Sequence, residues 1–168
     1  MTISMYSASV PVFSAMLKNL SHVLAKGEAN AAQRKIEPAV FLNDRLAPDM
    51  FTLTAQVQIA TDHAKGACAR LSGREPLKLE DKETSFTELQ ARIEKVQEFL
   101  KGFSAADIDG SEEKEITLKI GGGEMKMPGV QYLLHFATPN FYFHVTTAYA
   151  ILRHNGVPLG KADFFGRG

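Results

Sequence analysis

Apolar residues recur along much of the chain at alternating steps of four and three, a spacing that places side chains on one face of an α-helix. The first such run predicts a helix from about Val10 to Lys26, with Pro11 in its first turn and Gly27 as its C-terminal cap. The apolar face of this helix consists of Tyr6, Val10, Phe13, Leu17, Leu20 and Leu24.

A second run predicts a helix that begins at Pro48 and Asp49 and ends at Gly73, because proline and a carboxylate suit a first turn and glycine suits a C-terminus. Its apolar positions are Leu53, Val57, Ala60, Ala64, Ala67 and Leu71. Because alanines occupy its middle, a neighbouring helix can approach closely. In the connector before it, Pro38 opens a short helix that reaches Leu42.

The third helix begins at a capping box, in which the side chains of Ser85 and Glu88 satisfy each other's backbone donors. Gly102 lies near its end. The apolar stripe contains Phe86, Leu89, Ile93, Val96, Leu100 and Phe103.

The apolar period then changes to two, which predicts a small β-hairpin before the last helix. Isoleucine and leucine alternate with polar residues over 116–120, three glycines follow at 121–123, and two methionines flank Lys126. No lysine-serine pair or helix start follows the glycines at the spacing of a phosphate-binding loop, so we expect a flexible turn.

The last helical region is predicted in two parts. Gly129 to Phe136 has a helical pattern, and Thr138 with Pro139 is expected to cap a new start and to kink or break the helix. The pattern continues from Asn140 to His154. Four long amphipathic segments predict an all-α four-helix bundle in one domain, residues 1–168, with a long crossover connection because the connectors exceed the usual short loops.

Composition narrows the function classes. Lys+Arg and Asp+Glu are equal at 19 each, which argues against a nucleic-acid partner. Cys68 is the one cysteine, Met1 to Pro11 lacks a signal-peptide pattern, and no apolar run reaches the roughly 20 residues that a membrane span needs. We therefore expect a cytoplasmic protein without a membrane segment.

The last helix carries the strongest candidate site. Asn140, His144 and Thr147 share one face, and polar side chains one turn apart can converge as metal ligands do. The amide oxygen of Asn140, however, suits hard cations better than zinc. The alternative is that Asn140 caps the turn after Pro139 and that His144 is a hydrogen-bonded core histidine.

Aromatic residues are dense around His144, and they either fill the core or line an apolar pocket with a few polar groups. On the second helix, His63 is either a further ligand or a surface histidine. No catalytic-triad spacing, CxxC, HExxH or nucleotide fingerprint is present, so an enzymatic activity is left open. The candidate pocket residues are His135, Asn140, Tyr142, His144, Tyr149 and Gln56.

Three stretches carry a family resemblance that covers nearly the whole chain. They are Leu46–Phe51, Gln56–Ala60 and Asn140–Tyr149, the last followed by Leu152–Gly156. Together they resemble an uncharacterised family, a domain of unknown function, that is grouped with the DinB/YfiT-like proteins. The resemblance implies a four-helix bundle with a long crossover connection, commonly assembled as a homodimer.

The same resemblance implies a divalent metal, such as zinc or nickel, held by three histidines. Aligned on Ile151–Arg153, His144 stands at the second histidine of the last helix, and Asn140 stands at the first. The resemblance gives no clear counterpart for the ligand on the second helix. The candidates there are Gln56, Gln58 and Asp62.

Three functions follow from these observations. The first is a metal-free bundle that binds a small ligand or a partner in a cavity near His144. The second, implied by the resemblance, is a divalent-metal enzyme, a thiol transferase or hydrolase, with a degenerate metal site at His144 and Asn140. The third is a structural, dimeric stress-response protein. We favour the first, because only one of the three family ligands has a clear match.

Overall fold

The fold is helical with one small antiparallel hairpin. The computed structural model describes residues 3–167; residues 1–2 and 168, which the one-domain prediction includes, lie outside the described residues. In chain order the elements are α1 (Val10–Arg34), α2 (Pro38–Leu42), α3 (Leu53–Ser72), α4 (Phe86–Lys101), α5 (Ala105–Ile108), β1 (Glu115–Ile120), β2 (Gly123–Pro128), α6 (Gly129–Gln131), a π-helix (Tyr132–Ala137), α7 (Thr138–His154) and α8 (Lys161–Phe164).

Helix α1 runs past its predicted end because Gly27 serves packing rather than capping. A Cβ atom at Gly27 would lie 2.9 Å from Cδ2 of Leu152, so the absent side chain lets α7 approach. The helix ends instead at Lys35, which adopts the left-handed conformation (φ 56°) and donates its N–H to carbonyls of the last turn. The predicted C-terminus at Gly27 is therefore wrong.

The ends of α3 and α4 are set by side-chain caps. Helix α3 begins later than predicted, at Leu53, because the hydroxyl of Thr52 accepts a hydrogen bond from the N–H of the third helical residue. Its predicted end is confirmed, since Gly73 is left-handed (φ 80°). At α4, Ser85 accepts from the N–H of Glu88 as predicted, but the Glu88 carboxylate accepts from the N–H one residue before Ser85.

The predicted hairpin is confirmed. Strands β1 and β2 pair antiparallel, with Ile116 opposite Met127. The turn is made by Gly121 and Gly122, which both have positive φ (60° and 82°), and the third glycine already belongs to β2. The alternating pattern turns Ile116 and Leu118 into the core and leaves the intervening side chains exposed.

The chain does not break at Pro139. A π-helix runs directly into α7, with helical backbone at Ala137 and Thr138, and Pro139 lies in the first turn of α7. The predicted cap by Thr138 is wrong, because its backbone is helical and its buried hydroxyl has no hydrogen-bond partner within residues 3–167. The sequence suggested a kink or break near Pro139. The structure has the wider turn of a π-helix there instead.

The four long helices contribute side chains to one apolar core. Helix α3 makes its most extensive contact with α7 and also packs against α4 and α1, while α1 packs against α4. The alanines at the centre of α3, Ala60, Ala64 and Ala67, are fully buried. Within residues 3–167, no helix is both long and apolar enough to cross a membrane.

A buried arginine joins α4 to α3 and to the connector between them. The side chain of Arg92 is 1% exposed, and its Nε donates to the hydroxyl of Thr61 at 2.7 Å. Its other nitrogens donate to carboxylate oxygens of Asp62 (2.7 Å), Asp81 (2.8 Å) and Glu83 (3.0 Å). The guanidinium of α4 thus has hydrogen-bond partners on two other segments of the chain, and the three carboxylates compensate its buried charge.

Replacing Arg92 by methionine, Arg92→Met, is expected to lower the free energy of unfolding by about 2–4 kcal/mol, since three carboxylates lose a shared cation. The loss stays below that of a fully buried pair because Asp62 and Asp81 are 42% and 57% exposed. Urea unfolding followed by circular dichroism measures it. The matched control is Lys95→Met on the same helix, which is exposed and should change stability by about 0.5 kcal/mol or less. Equal effects of the two substitutions would contradict the role given to Arg92.

Candidate functional site

Helix α7 places His144 directly against α3, where a glutamine orients it. Nδ1 of His144 lies 2.6 Å from Oε1 of Gln56, and Nε2 of Gln56 donates to the carbonyl oxygen of Phe51 at 3.2 Å. Because the Phe51 carbonyl fixes which end of the amide faces α7, the Gln56 oxygen accepts from His144 Nδ1–H. The imidazole therefore carries its hydrogen on Nδ1 and a lone pair on Nε2.

A second histidine, His63, packs on the first. The rings of His63 and His144 lie 5.8 Å apart between centroids and are inclined by only 15°. The sequence offered His63 as a further ligand or a surface residue and did not include it in the candidate pocket. The sequence could have indicated this position, because His63 follows Gln56 by seven residues, two helical turns along the same face of α3.

Both imidazoles are neutral at pH 7. The pKa of His63 is lowered to about 4, chiefly by burial; the charge that His144 would carry if protonated and the charge of Arg70 contribute to this lowering, while Asp62 partly opposes it. Burial likewise lowers the pKa of His144. Since His144 is only 7% exposed, a charge on it would be poorly solvated. The pair is thus a polar but uncharged wall between α3 and α7.

His63 borders a cleft between α3, the π-helix and β1. The cleft encloses about 230 Å³. At one side Arg70 donates from Nη1 to the hydroxyl oxygen of Tyr132 at 3.1 Å. The lining residues are Asp62, His63, Arg70, Leu118, Lys119, Ile120, Tyr132 and Phe136.

Of the six pocket residues that the sequence suggested, only Gln56 and His144 contact each other directly. The other four point elsewhere. His135 is exposed, Asn140 donates from its amide to a backbone carbonyl one turn earlier (2.7 Å), and Tyr142 lines a separate surface groove. Tyr149 packs edge-on against an aromatic ring of α8.

The donor set does not match a three-histidine metal centre. Structural and catalytic zinc sites have three or four protein ligands. His63 and His144 supply two imidazoles, whereas the Gln56 oxygen is engaged by His144, and the Asn140 amide is bonded to the backbone. Within the part of the chain that the structure describes, no three His, Cys, Asp or Glu side chains form a group that could hold a metal. We therefore derive no metal-dependent step here.

The depressed histidine pKa values predict how stability changes with pH. Because the folded-state pKa of His63 (about 4) lies below its ordinary 6.5, the unfolded chain binds the proton more readily, and stability is lost as pH falls from 6.5 towards 4. We expect wild type to lose about 1–2 kcal/mol more than His63→Leu between pH 7.5 and pH 5, after allowance for solvent screening.

Denaturant unfolding at the two pH values measures this difference. Carboxylates with lowered pKa values, such as Glu83, titrate below pH 5 and so do not contribute to this difference. The control is His154→Gln, because His154 is exposed at the end of α7 and should leave the wild-type pH dependence unchanged. An identical pH dependence in wild type and His63→Leu would refute the neutral pair.

Comparisons with known proteins agree with the fold and with the resemblance. A crystal structure of a DinB family member protein from Shewanella denitrificans is similar to this one, with a TM-score of 0.91 and 45% sequence identity over 96% of this chain and 91% of that chain. A comparison with curated proteins finds no match. Residues 5–165 match the sequence model of DUF1993, a domain of unknown function. The chain therefore belongs to the DUF1993 family.

Proposed function

We propose that this protein binds a small organic ligand, without a metal, in the cleft beside His63 and His144. The proposal also takes residues 1–168 as one domain, in which α1, α3, α4 and α7 form a DinB-type four-helix bundle with a long crossover connection. The observation that carries it is the neutral histidine pair, in which Gln56 orients His144 and His63 borders a cleft of about 230 Å³.

The dimensions of the cleft favour a small ligand. Its volume of about 230 Å³ lies below the range of roughly 300–1,000 Å³ typical of sites for drug-sized molecules. Aromatic and aliphatic side chains supply most of its apolar wall, and Arg70 and His63 supply polar groups. A few convergent polar groups in an apolar cleft are typical of binding sites that recognise one end of a small molecule.

His144 supports this site from behind rather than lining it. Its ring is buried, and it presents one face to the ring of His63. Gln56 fixes its tautomer, so His63 packs against a ring of defined orientation. A partly buried, neutral His63 can donate or accept one hydrogen bond without the desolvation cost of a charge.

A metal-dependent enzyme is the second candidate, and one observation favours it. Metal-ligating histidines usually donate their other N–H to a carbonyl or carboxylate, and His144 donates Nδ1–H to the Gln56 oxygen in that way. Its Nε2 is then available to a cation. Among residues 3–167, His63 and His144 do not form a metal-binding group with a third His, Cys, Asp or Glu side chain.

A ligand screen tests the proposal. Thermal unfolding of wild type, His63→Leu and His154→Gln is measured against a library of small metabolites. A ligand at a hundred times its Kd should stabilise wild type by about 2.7 kcal/mol, a rise in Tm of roughly 5–10 °C. We expect His63→Leu to lose the response and His154→Gln, which changes an exposed histidine outside the cleft, to keep it.

Metal analysis of tag-free protein separates the two candidates in the same preparation. We expect the ligand response to survive treatment with EDTA. Stoichiometric zinc, nickel or iron that disappears in His144→Ala would establish the metal-dependent alternative instead. No stabilisation of wild type by any compound, with no metal bound, would leave the structural, dimeric stress-response protein as the remaining function.

We also propose that the protein is a homodimer that uses the surface on the other side of His144. Leu46, Phe51 and Phe143 are 43%, 59% and 55% exposed, unusual for large apolar side chains. Leu46 and Phe143 line one groove with Pro139 and Tyr142. The family resemblance implies a dimer, and this exposed apolar groove is a suitable surface for a second copy.

Light scattering at micromolar concentration tests the dimer. We expect twice the chain mass for wild type and a shift towards monomer in Phe143→Glu, because a charge buried in an apolar interface is costly. The matched control is Leu134→Glu, which puts the same charge at an exposed apolar position outside the groove. A monomeric wild type, or equal effects of the two substitutions, would refute the proposed interface.

A further inference from the structure

We propose that the cleft selects a small organic anion, a carboxylate on a flat apolar body, and that Arg70 binds the carboxylate. This inference rests on the proposed function, since it names the ligand class of the same cleft. Four features support it. Arg70 bonds to a neutral hydroxyl, Lys119 adds a second positive charge, Asp62 is already bonded to other cations, and aromatic rings form part of the wall.

Arg70 is a partly buried cation whose described hydrogen-bond partner is a neutral hydroxyl. Its Nη1 donates to the neutral hydroxyl of Tyr132 (3.1 Å), and its guanidinium carbon lies 5.9 Å from the centre of that ring. Within residues 3–167 it forms no salt bridge. Because a guanidinium presents several donors in one plane, the nitrogens that Tyr132 does not use suit a bidentate carboxylate.

The remaining charges of the cleft leave it positive. Lys119 on β1 lines the cleft and, like Arg70, has no ion-pair partner among residues 3–167. The one acidic lining residue, Asp62, is already engaged by Arg92 (2.7 Å) and Lys65 (3.0 Å). The two cations of the cleft therefore outnumber its one carboxylate, which Arg92 and Lys65 already share, and an anionic ligand would balance them.

Aromatic rings next to Arg70 form an apolar part of the cleft wall. The rings of Tyr132 and Phe136 are nearly parallel, at 6.1 Å and 22°, and the ring of His63 lies 6.0 Å from Phe136. Leu118 and Ile120 of β1 add aliphatic surface. Aromatic walls favour planar ligands, which stack or pack edge-on against them. His63 is neutral, so it adds no charge that would compete with Arg70 for the carboxylate.

NMR titration with matched probes tests the inference. The probes are benzoate, the neutral benzamide and the cationic benzylamine, which share a ring and differ in charge, together with acetate and inorganic phosphate. We expect benzoate to bind most tightly and to shift the signals of Arg70 and His63. Acetate lacks the flat body, and phosphate has a tetrahedral anion without an apolar part, so both should bind more weakly.

Two substitutions in the cleft and one outside it complete the experiment. Arg70→Gln should weaken benzoate binding about tenfold to a hundredfold and leave benzamide unchanged, because only the charge-assisted bonds are lost. Lys119 is exposed on β1, so Lys119→Gln should leave the fold intact. It should weaken benzoate binding about twofold to fivefold. Lys95→Gln, an equal charge change outside the cleft, should leave the benzoate Kd unchanged.

Several results would overturn the inference. These are benzamide, benzylamine or phosphate binding as tightly as benzoate, no benzoate-dependent shifts at the cleft, or a benzoate Kd indifferent to both Arg70→Gln and Lys119→Gln. Failure here is distinct from failure of the proposed function. A neutral metabolite that binds wild type and is lost in His63→Leu would retain the ligand cleft and refute only its preference for anions.

Discussion

The close packing of α3 against α7 is the constraint on which the site depends. The fully buried alanines of α3 permit that approach, because a larger side chain at Ala60 or Ala64 would force the helices apart. The approach brings Gln56 within 2.6 Å of His144 and lays His63 against the same ring. A wider separation would break the short bond and leave a buried imidazole N–H without a partner, so packing and site chemistry are set together.

A buried arginine of α4 affects the charge of the cleft. Asp62 is next to His63 in sequence and lines the cleft, yet its carboxylate is held by Arg92 of α4 at 2.7 Å. That bond stabilises the connector between α3 and α4, and it also withdraws a negative charge from Arg70. One buried arginine therefore contributes to the fold and leaves another, in the cleft, available to an anion.

Local pattern predicted most of the fold, and tertiary packing decided the rest. The helical class and the hairpin follow from apolar periods of 3.6 and two. The end at Gly27 was wrong because that glycine admits Leu152 from a distant helix, which local sequence does not show. The sequence placed Gln56 and His144 in one candidate pocket, but their contact depends on how α3 and α7 are aligned, which local pattern does not give. The directions of His135 and Asn140 were not predicted either, because a π-helix before α7 rotates one relative to the other.

The same charges bear on how this site differs from a three-histidine metal site. A divalent cation between His63 and His144 would lie close to Arg70, whose charge already lowers the pKa of His63. The repulsion that disfavours a proton on His63 would act more strongly on two positive charges. Asp62 opposes that repulsion in part, but its carboxylate is shared with Arg92 and Lys65. A divalent cation beside His63 would therefore have to sit near Arg70 and Lys119, whereas an anion in the cleft would meet those two cations as partners.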